Sequence, residues 1–214
     1  MNFEDYCFVI PARRNSKGFP YKNRKLLNFT LKSIPKELYG KIIVTTDDEW
    51  IEGELEELGV DFIHRSESLS DDDICMKDVV LDVLQKREEL ADKNIVLLYL
   101  TYPQRTFEQV QEIVSFYEEH GARSLLCSKK VESHPFLCLF KTNDHRGKQI
   151  IDHDLYRRQD YPECFELSHF MCIFYAKELK NLNKNLYNSN TLYYPVSNVI
   201  DVDTSKNFTD FLND

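Results

Sequence analysis

Residues 11–25 read PARRNSKGFPYKNRK. Arg13, Arg14, Lys17, Lys22, Arg24 and Lys25 place six cations within thirteen positions of a chain whose net charge is −9. Positive charge gathered directly after an apolar run suits an anion site. Arg13 can fork hydrogen bonds onto phosphate oxygens, and Lys17 and Lys22 supply point charges. Ser16 and Asn23 add polar donors. Gly18 permits a backbone conformation that brings N–H groups close to an anion. A triphosphate fits this set. The plain alternative is a solvated basic turn, the usual fate of a charge cluster. The stretch has neither the GxxxxGK[ST] spacing of a P-loop nor the GxGxxG of a dinucleotide turn.

The elements around this loop follow from hydrophobic pattern. YCFVI (6–10) is an apolar run stopped by Pro11, which predicts a buried strand ending where the basic loop begins. KIIVTT (41–46), VDFIH (60–64), NIVLLYL (94–100) and SLLCS (124–128) predict further strands. DDEWIEGELEEL (47–58) predicts a helix with an acidic first turn and Gly59 as its C-cap. Residues 73–90 and 106–120 carry helical spacing, the latter with Val110, Ile113, Val114 and Tyr117 on one stripe and Gly121 at its end. This alternation predicts an α/β fold, a Rossmann-like, mostly parallel sheet with helices on both faces. In such a sheet, ligands bind beyond the carboxyl ends of the strands, where residues 11–25 leave the first one. After residue 130 the rhythm changes. FLCLF (136–140), QII (149–151) and FMCIFYA (170–176) are strand-like with long polar stretches between them. They predict a small inserted arm before a last helix at 204–213.

The totals narrow the class. A chain of 214 residues with 42% hydrophobic content can bury one core, and a single domain over 1–214 is expected. The net negative charge argues against general affinity for nucleic acid or anionic membrane. No apolar run approaches the ~20 residues of a membrane span, and the start of the chain has no basic n-region of a secretion signal. The six cysteines, Cys7, Cys75, Cys127, Cys138, Cys164 and Cys172, form no CxxC pair. A reducing, cytoplasmic compartment is expected, with neither a zinc site nor a disulfide frame.

IPARRNSKGFPYKN (10–23) closely resembles the signature of the acylneuraminate cytidylyltransferases, which make CMP-sialic acid and its relatives from CTP. Its family pattern, PAR-x-x-S-K-G-x-x-x-KN, is met at every fixed position. VTTDDEWI (44–51), HRSESLSDDD (64–73), LLYLTYPQRT (97–106), VESHPF (131–136), RRQDYPECF (157–165) and VIDVDT (199–204) resemble later family segments in the same order. The resemblance implies a fold of the nucleotide-diphospho-sugar transferase type and transfer of CMP from CTP to an acidic sugar, with release of pyrophosphate. It implies that Arg13 and Lys22 act on the reacting phosphates. Asn15, Ser16, Lys17, Gly18 and Asn23 join them around the nucleotide, and Arg65 with the loop ending at Asp73 lies near the base. It further implies Mg²⁺ at Asp201 and Asp203. Carboxylates at i and i+2 of an extended segment point the same way, which supports that pair; by itself, IDVD is an ordinary solvated strand end. Members of this family are commonly dimers, so a homodimer is implied, with residues 130–170 as the arm reaching the neighbour's acceptor site.

Departures from the family fall on the acceptor side, where Tyr99, Thr101, Arg158, Gln159, Ser168 and His169 would face the sugar. Tyr99 stands where the family has Gln, Tyr102 where it has Ser, and Ser168-His169 replace Asn-Gly. A site whose polar groups change rejects the old acceptor. The expected acceptor is therefore a different nonulosonic acid, or a smaller acidic or phosphorylated compound. The segment 26–40 is shorter than usual and holds Pro35, so the helix below the site should be trimmed. Asp71–Asp73 are read as helix caps and dipole partners ahead of Ile74 rather than as a second metal site. His134 is read as structural or sugar-facing rather than as a base. Two other readings stay open: a non-catalytic nucleotide-binding subunit, and a nucleotidyltransferase with another nucleotide.

Overall fold

A computed structural model describes residues 2–16, 18–143 and 145–213. Among these, seven strands form one sheet. They are β1 (Tyr6–Pro11), β2 (Ile42–Thr46), β3 (Asp61–His64), β4 (Asn94–Leu97), β5 (Ser124–Lys130), β8 (Phe165–Tyr175) and β9 (Leu192–Pro195). A separate two-stranded ribbon joins β6 (Leu139–Lys141) to β7 (Gly147–Gln149). The sheet order is β3-β2-β1-β4-β8-β5-β9. β1, β2, β3 and β4 run parallel, β5 runs parallel to β9, and β8 runs antiparallel between β4 and β5.

Side-chain alternation in the strands divides the core between two faces. Phe8, Ile10, Val44, Val96 and Ile173 pack on one face against α1 (Lys22–Lys32), α2 (Glu49–Leu58), α4 (Phe107–Glu119) and α5 (Ser205–Asn213). Cys7, Val9, Ile43, Ile95 and Cys172 pack on the other, against α3 (Met76–Lys86) and the turn Ala176–Asn181. Burial on both faces explains the long apolar runs of β1 and β2, and Thr45 and Thr46 at the end of β2 are buried as well. Fully buried Phe8, Phe170 and Phe174 contribute about 2–3 kcal/mol each relative to exposure.

Local chemistry sets the element ends. Asp48 caps α2 by accepting from Trp50 N, and Gly59 ends it at φ +66°, the left-handed region an L side chain avoids. Thr106 and Gln109 form a reciprocal capping box at α4.

Several expected boundaries shift. A full helix, α1, starts at Lys22 and runs through Lys32, so it takes in the first part of the 26–40 segment; Pro35 falls after its end. β4 stops at Leu97, with Leu98 N still donating to Val9 O (3.0 Å). The helix expected at 73–90 begins only at Met76, so Asp71–Asp73 do not cap it; Cys75 occupies the N-cap position. FLCLF is half a 3-10 turn (Pro135–Leu137) and half β6. The strand expected at 170–176 begins five residues earlier, and β9 went unread because it is short and half exposed.

Candidate active site

The carboxyl ends of β1, β2 and β4 meet at one edge of the sheet. Thr46 Oγ1 donates to Ala12 O (2.6 Å) and Ala12 N to Thr45 O (2.9 Å), which locks the exit of β1 to the exit of β2. From that lock the basic loop curls into α1. Asn23 Nδ2 donates to the Arg13 carbonyl (2.7 Å) and Arg14 N donates to Asp47 Oδ1 (2.6 Å), so the loop is fixed at both ends. The first turn of α1 carries no acidic residue and its N-cap, Tyr21, offers no side-chain bond. Lys22 N donates to Phe19 O (3.1 Å), and the positive end of the helix dipole there favours an anion.

A pocket of about 150 Å³ lies at this edge, lined by Pro11, Arg13, Ser16, Lys22, Asn23, Arg65, Met76, Tyr99, Leu100 and Thr101. Thus Arg13, Ser16, Lys22, Asn23, Arg65, Tyr99 and Thr101, chosen from sequence, share one cavity. Lys17 lies outside the described residues. Asn15 and Asp73 are exposed and do not line the pocket. Arg65 is 3% exposed and donates through Nη2 to Thr45 O (2.9 Å). Burial pushes its guanidinium down to about 10, with Asp47 opposing the shift, so it stays cationic at neutral pH.

The cations of the loop already hold carboxylates. Lys22 Nζ meets Asp203 Oδ1 at 2.6 Å and Arg13 Nη1 meets Asp72 Oδ1 at 2.8 Å. Arg24 grips Asp48 through two 2.8 Å bonds and lies over the Tyr21 ring at 4.4 Å. A Cβ on Gly18 would stand 3.0 Å from the Asp203 backbone oxygen, so the loop and the 201–203 segment are in close contact there.

Asp201 and Asp203 are not the extended pair expected. Asp203 N donates to Asp201 O (3.1 Å), which makes a tight turn, and the two carboxylates have different partners. Asp201 Oδ2 accepts from the Tyr102 hydroxyl at 3.0 Å, while its Oδ1 is buried without a partner. Asp203 is largely exposed beside Lys22. Among the described residues, no group of three or more His, Cys, Asp or Glu side chains is placed to hold a metal ion.

The acceptor-side candidates divide. Tyr99 and His169 bring their rings to 5.0 Å, and burial pushes the Tyr99 hydroxyl well above its usual range. Ser168 Oγ stands 3.5 Å from the Tyr102 hydroxyl. His169 projects here because the β5–β8 register jumps, Leu126 facing Cys172 and Cys127 facing Ser168. Such a bulge re-aims a side chain beside a site. Arg105 Nε donates to the Phe170 carbonyl in the bulge (3.1 Å) and Nη2 to Tyr99 O (2.9 Å). Arg105 was visible only as part of a motif; its role required the bulge. Arg158 and Gln159 are exposed in the turn Arg158–Asp160, and Arg158 lines a separate cavity with Lys130, His134 and Tyr161. His134 is anchored at both ring nitrogens while it lines that cavity: Nδ1 accepts from Phe136 N (3.2 Å), so Nε2–H donates to Pro162 O (2.9 Å).

A mostly parallel α/β sheet with a cationic pocket beyond the carboxyl ends of its strands has the architecture of the nucleotidyltransferase fold. Solved structures agree on that fold. The CMP:2-keto-3-deoxy-manno-octonic acid synthetase complexed with CTP superposes with TM-score 0.65 at 15% identity over 97% of each chain. The 4-diphosphocytidyl-2C-methyl-D-erythritol synthase from Anaerococcus prevotii gives TM-score 0.65 at 12% identity over 100% of each. Within that class, the model of the cytidylyltransferase family matches residues 7–201, and the chain belongs to this family. It is 29% identical over 212 residues to the N-acylneuraminate cytidylyltransferase of Streptococcus agalactiae serotype V, covering 94% of this chain and 51% of that one. It is 26% identical to the CMP-N,N'-diacetyllegionaminic acid synthase of Legionella pneumophila, covering 92% and 90%. The chain thus spans about half the length of the streptococcal relative.

Proposed function

We propose that the protein transfers CMP from CTP to a nonulosonic acid or a related acidic acceptor and releases pyrophosphate. The observation that carries this reading is the convergence of Arg13, Ser16, Lys22, Asn23 and Arg65 on one pocket at the carboxyl ends of β1 and β4. The acceptor hydroxyl oxygen bonds to the α-phosphorus as the bond to the bridging oxygen breaks; pyrophosphate leaves with that oxygen, and the hydroxyl proton passes to solvent. Little covalent work falls to the protein; it must place the reactants in line and neutralise phosphate charge. Arg13 and Lys22 do so from near the two ends of the basic loop, and Ser16 and the N-terminal end of α1 bind the remaining oxygens. Tyr99, Thr101, Ser168 and His169 form the acceptor wall.

Mg²⁺ is the cation this chemistry calls for. The unpartnered, buried Oδ1 of Asp201 and the carboxylate of Asp203, which pairs with Lys22, are the oxygens that would hold such a hard cation. Bound there, it supplies charge neutralisation on the triphosphate. A homodimer built on residues 130–170 would cover Leu139, Phe140, Ile150, Ile151 and Tyr156, all exposed in the single chain. Among the described residues no helix is long and apolar enough to cross a membrane. Six free cysteines favour a reducing compartment.

Pyrophosphate release with CTP, Mg²⁺ and a panel of sialic, legionaminic, pseudaminic and Kdo-type acids, plus small phosphorylated and phosphonate compounds, tests the reading. Release with one acceptor is expected. CTP binding without release from any of them would favour a non-catalytic nucleotide binder, and absence of CTP binding would overturn the assignment of residues 11–25.

A further inference from the structure

We propose that Tyr102 is a positioning residue that holds Asp201 so that one carboxylate oxygen stays committed and the other is presented to the cation accompanying CTP. This rests on the reading of Asp201 as a cation ligand. Tyr102 is 3% exposed, and its ring stands edge-on to Phe170 at 5.6 Å, so its hydroxyl has little freedom. That hydroxyl donates to Asp201 Oδ2 at 3.0 Å and leaves Oδ1 buried with no partner. A buried carboxylate oxygen without a donor is costly, and a site that keeps one needs something to fill it.

The backbone around Asp201 is held as firmly as its side chain. Val202 N donates to Thr101 O (2.8 Å), and Gln104 Nε2 donates to Ile200 O (3.1 Å). Residues 101–104 therefore grip the segment on both sides of Asp201, with the Tyr102 hydroxyl at the centre. The same hydroxyl is 3.5 Å from Ser168 Oγ, which links the carboxylate to the acceptor wall on β8. A cation ligand whose free oxygen is fixed by an outer hydrogen bond binds more tightly than one free to rotate.

The test compares calorimetric CTP affinity with and without Mn²⁺ for the wild type, Tyr102→Phe and Asp201→Asn. Tyr102→Phe keeps ring and volume and removes only the hydroxyl. In the wild type Mn²⁺ tightens CTP binding. Tyr102→Phe should lose about tenfold of that tightening while its metal-free CTP affinity stays unchanged, and Asp201→Asn should lose the tightening altogether. Full tightening in Tyr102→Phe, with loss in Asp201→Asn, overturns the role of Tyr102 and leaves Asp201 as a ligand. Equal loss of metal-free affinity in Tyr102→Phe also overturns it, since the hydroxyl then acts on the pocket as a whole. Full tightening in Asp201→Asn, or none in the wild type, removes the cation from Asp201 and the inference with it.

Discussion

Lys22 and Arg13 are paired with Asp203 and Asp72, so a triphosphate bound as proposed would have to exchange with those carboxylates. The two exchanges differ in consequence. In the proposed reading Asp203 would pass from an ammonium to a divalent cation, whereas Asp72 would only compete. Asp72→Asn should therefore tighten CTP binding by up to about fivefold at low salt, because an exposed pair of this kind is worth about 1 kcal/mol or less. The gain should shrink as ionic strength rises. Lys22→Ala should act in the opposite sense, weakening CTP about 10–100-fold through loss of a charge-assisted bond. Equilibrium dialysis with labelled CTP at two salt concentrations reads both; weaker binding by Asp72→Asn would show that this carboxylate serves the nucleotide. The cations of the loop were readable from residue type and spacing alone. Their partners were not, since Asp72 and Asp203 lie far along the chain and only the tertiary fold brings them in. The misplaced role of Asp71–Asp73 has the same origin: an acidic run ahead of a helical pattern signals a cap, but α3 starts too late to use it.

Strands buried on both faces were the easiest elements to read, and their cysteines now offer a check. Cys7 on β1, Cys127 on β5 and Cys172 on β8 are buried, whereas Cys75, Cys138 and Cys164 are partly exposed. Burial pushes the Cys7 and Cys127 thiols up to about 12 and raises Cys172 as well, so at pH 8 only about one in 10,000 of the first two is thiolate. Iodoacetamide at pH 8 should modify Cys75, Cys138 and Cys164 quickly and the other three only after denaturation, as peptide mass mapping would record. Rapid labelling of Cys172 would contradict the central position of β8. The elements that pattern did not reveal were the half-exposed ones. Phe165, Leu167 and Tyr193 are each more than 40% exposed, so neither the start of β8 nor β9 shows the contrast between faces on which a strand is read. The bulge at His169 also left no sequence signal, because it is fixed by the pairing with β5 and by Arg105.

At the scale of the whole molecule, the 130–170 arm gathers exposed apolar side chains. Leu139, Phe140, Ile150 and Ile151 are exposed, and Tyr156 is 95% exposed, all within the 130–170 arm. If that arm forms the proposed homodimer, sedimentation equilibrium should give twice the 25.4 kDa chain mass, and Phe140→Glu with Tyr156→Glu should return it to the monomer. A monomeric wild type would sink the proposal. The class of fold was readable because strand and helix alternate up to residue 128. The sheet order was not, because β8 enters from the far side of the arm and separates β4 from β5. That placement governs how the chain can be made. Both neighbours of β5 are synthesised after it, and the second edge of β4 waits for the same late strand. A nascent chain paused at residue 160 can join β3, β2, β1 and β4 but carries an unpaired apolar edge and a solitary β5. Translation of the last quarter therefore decides whether the first three quarters stay out of aggregates.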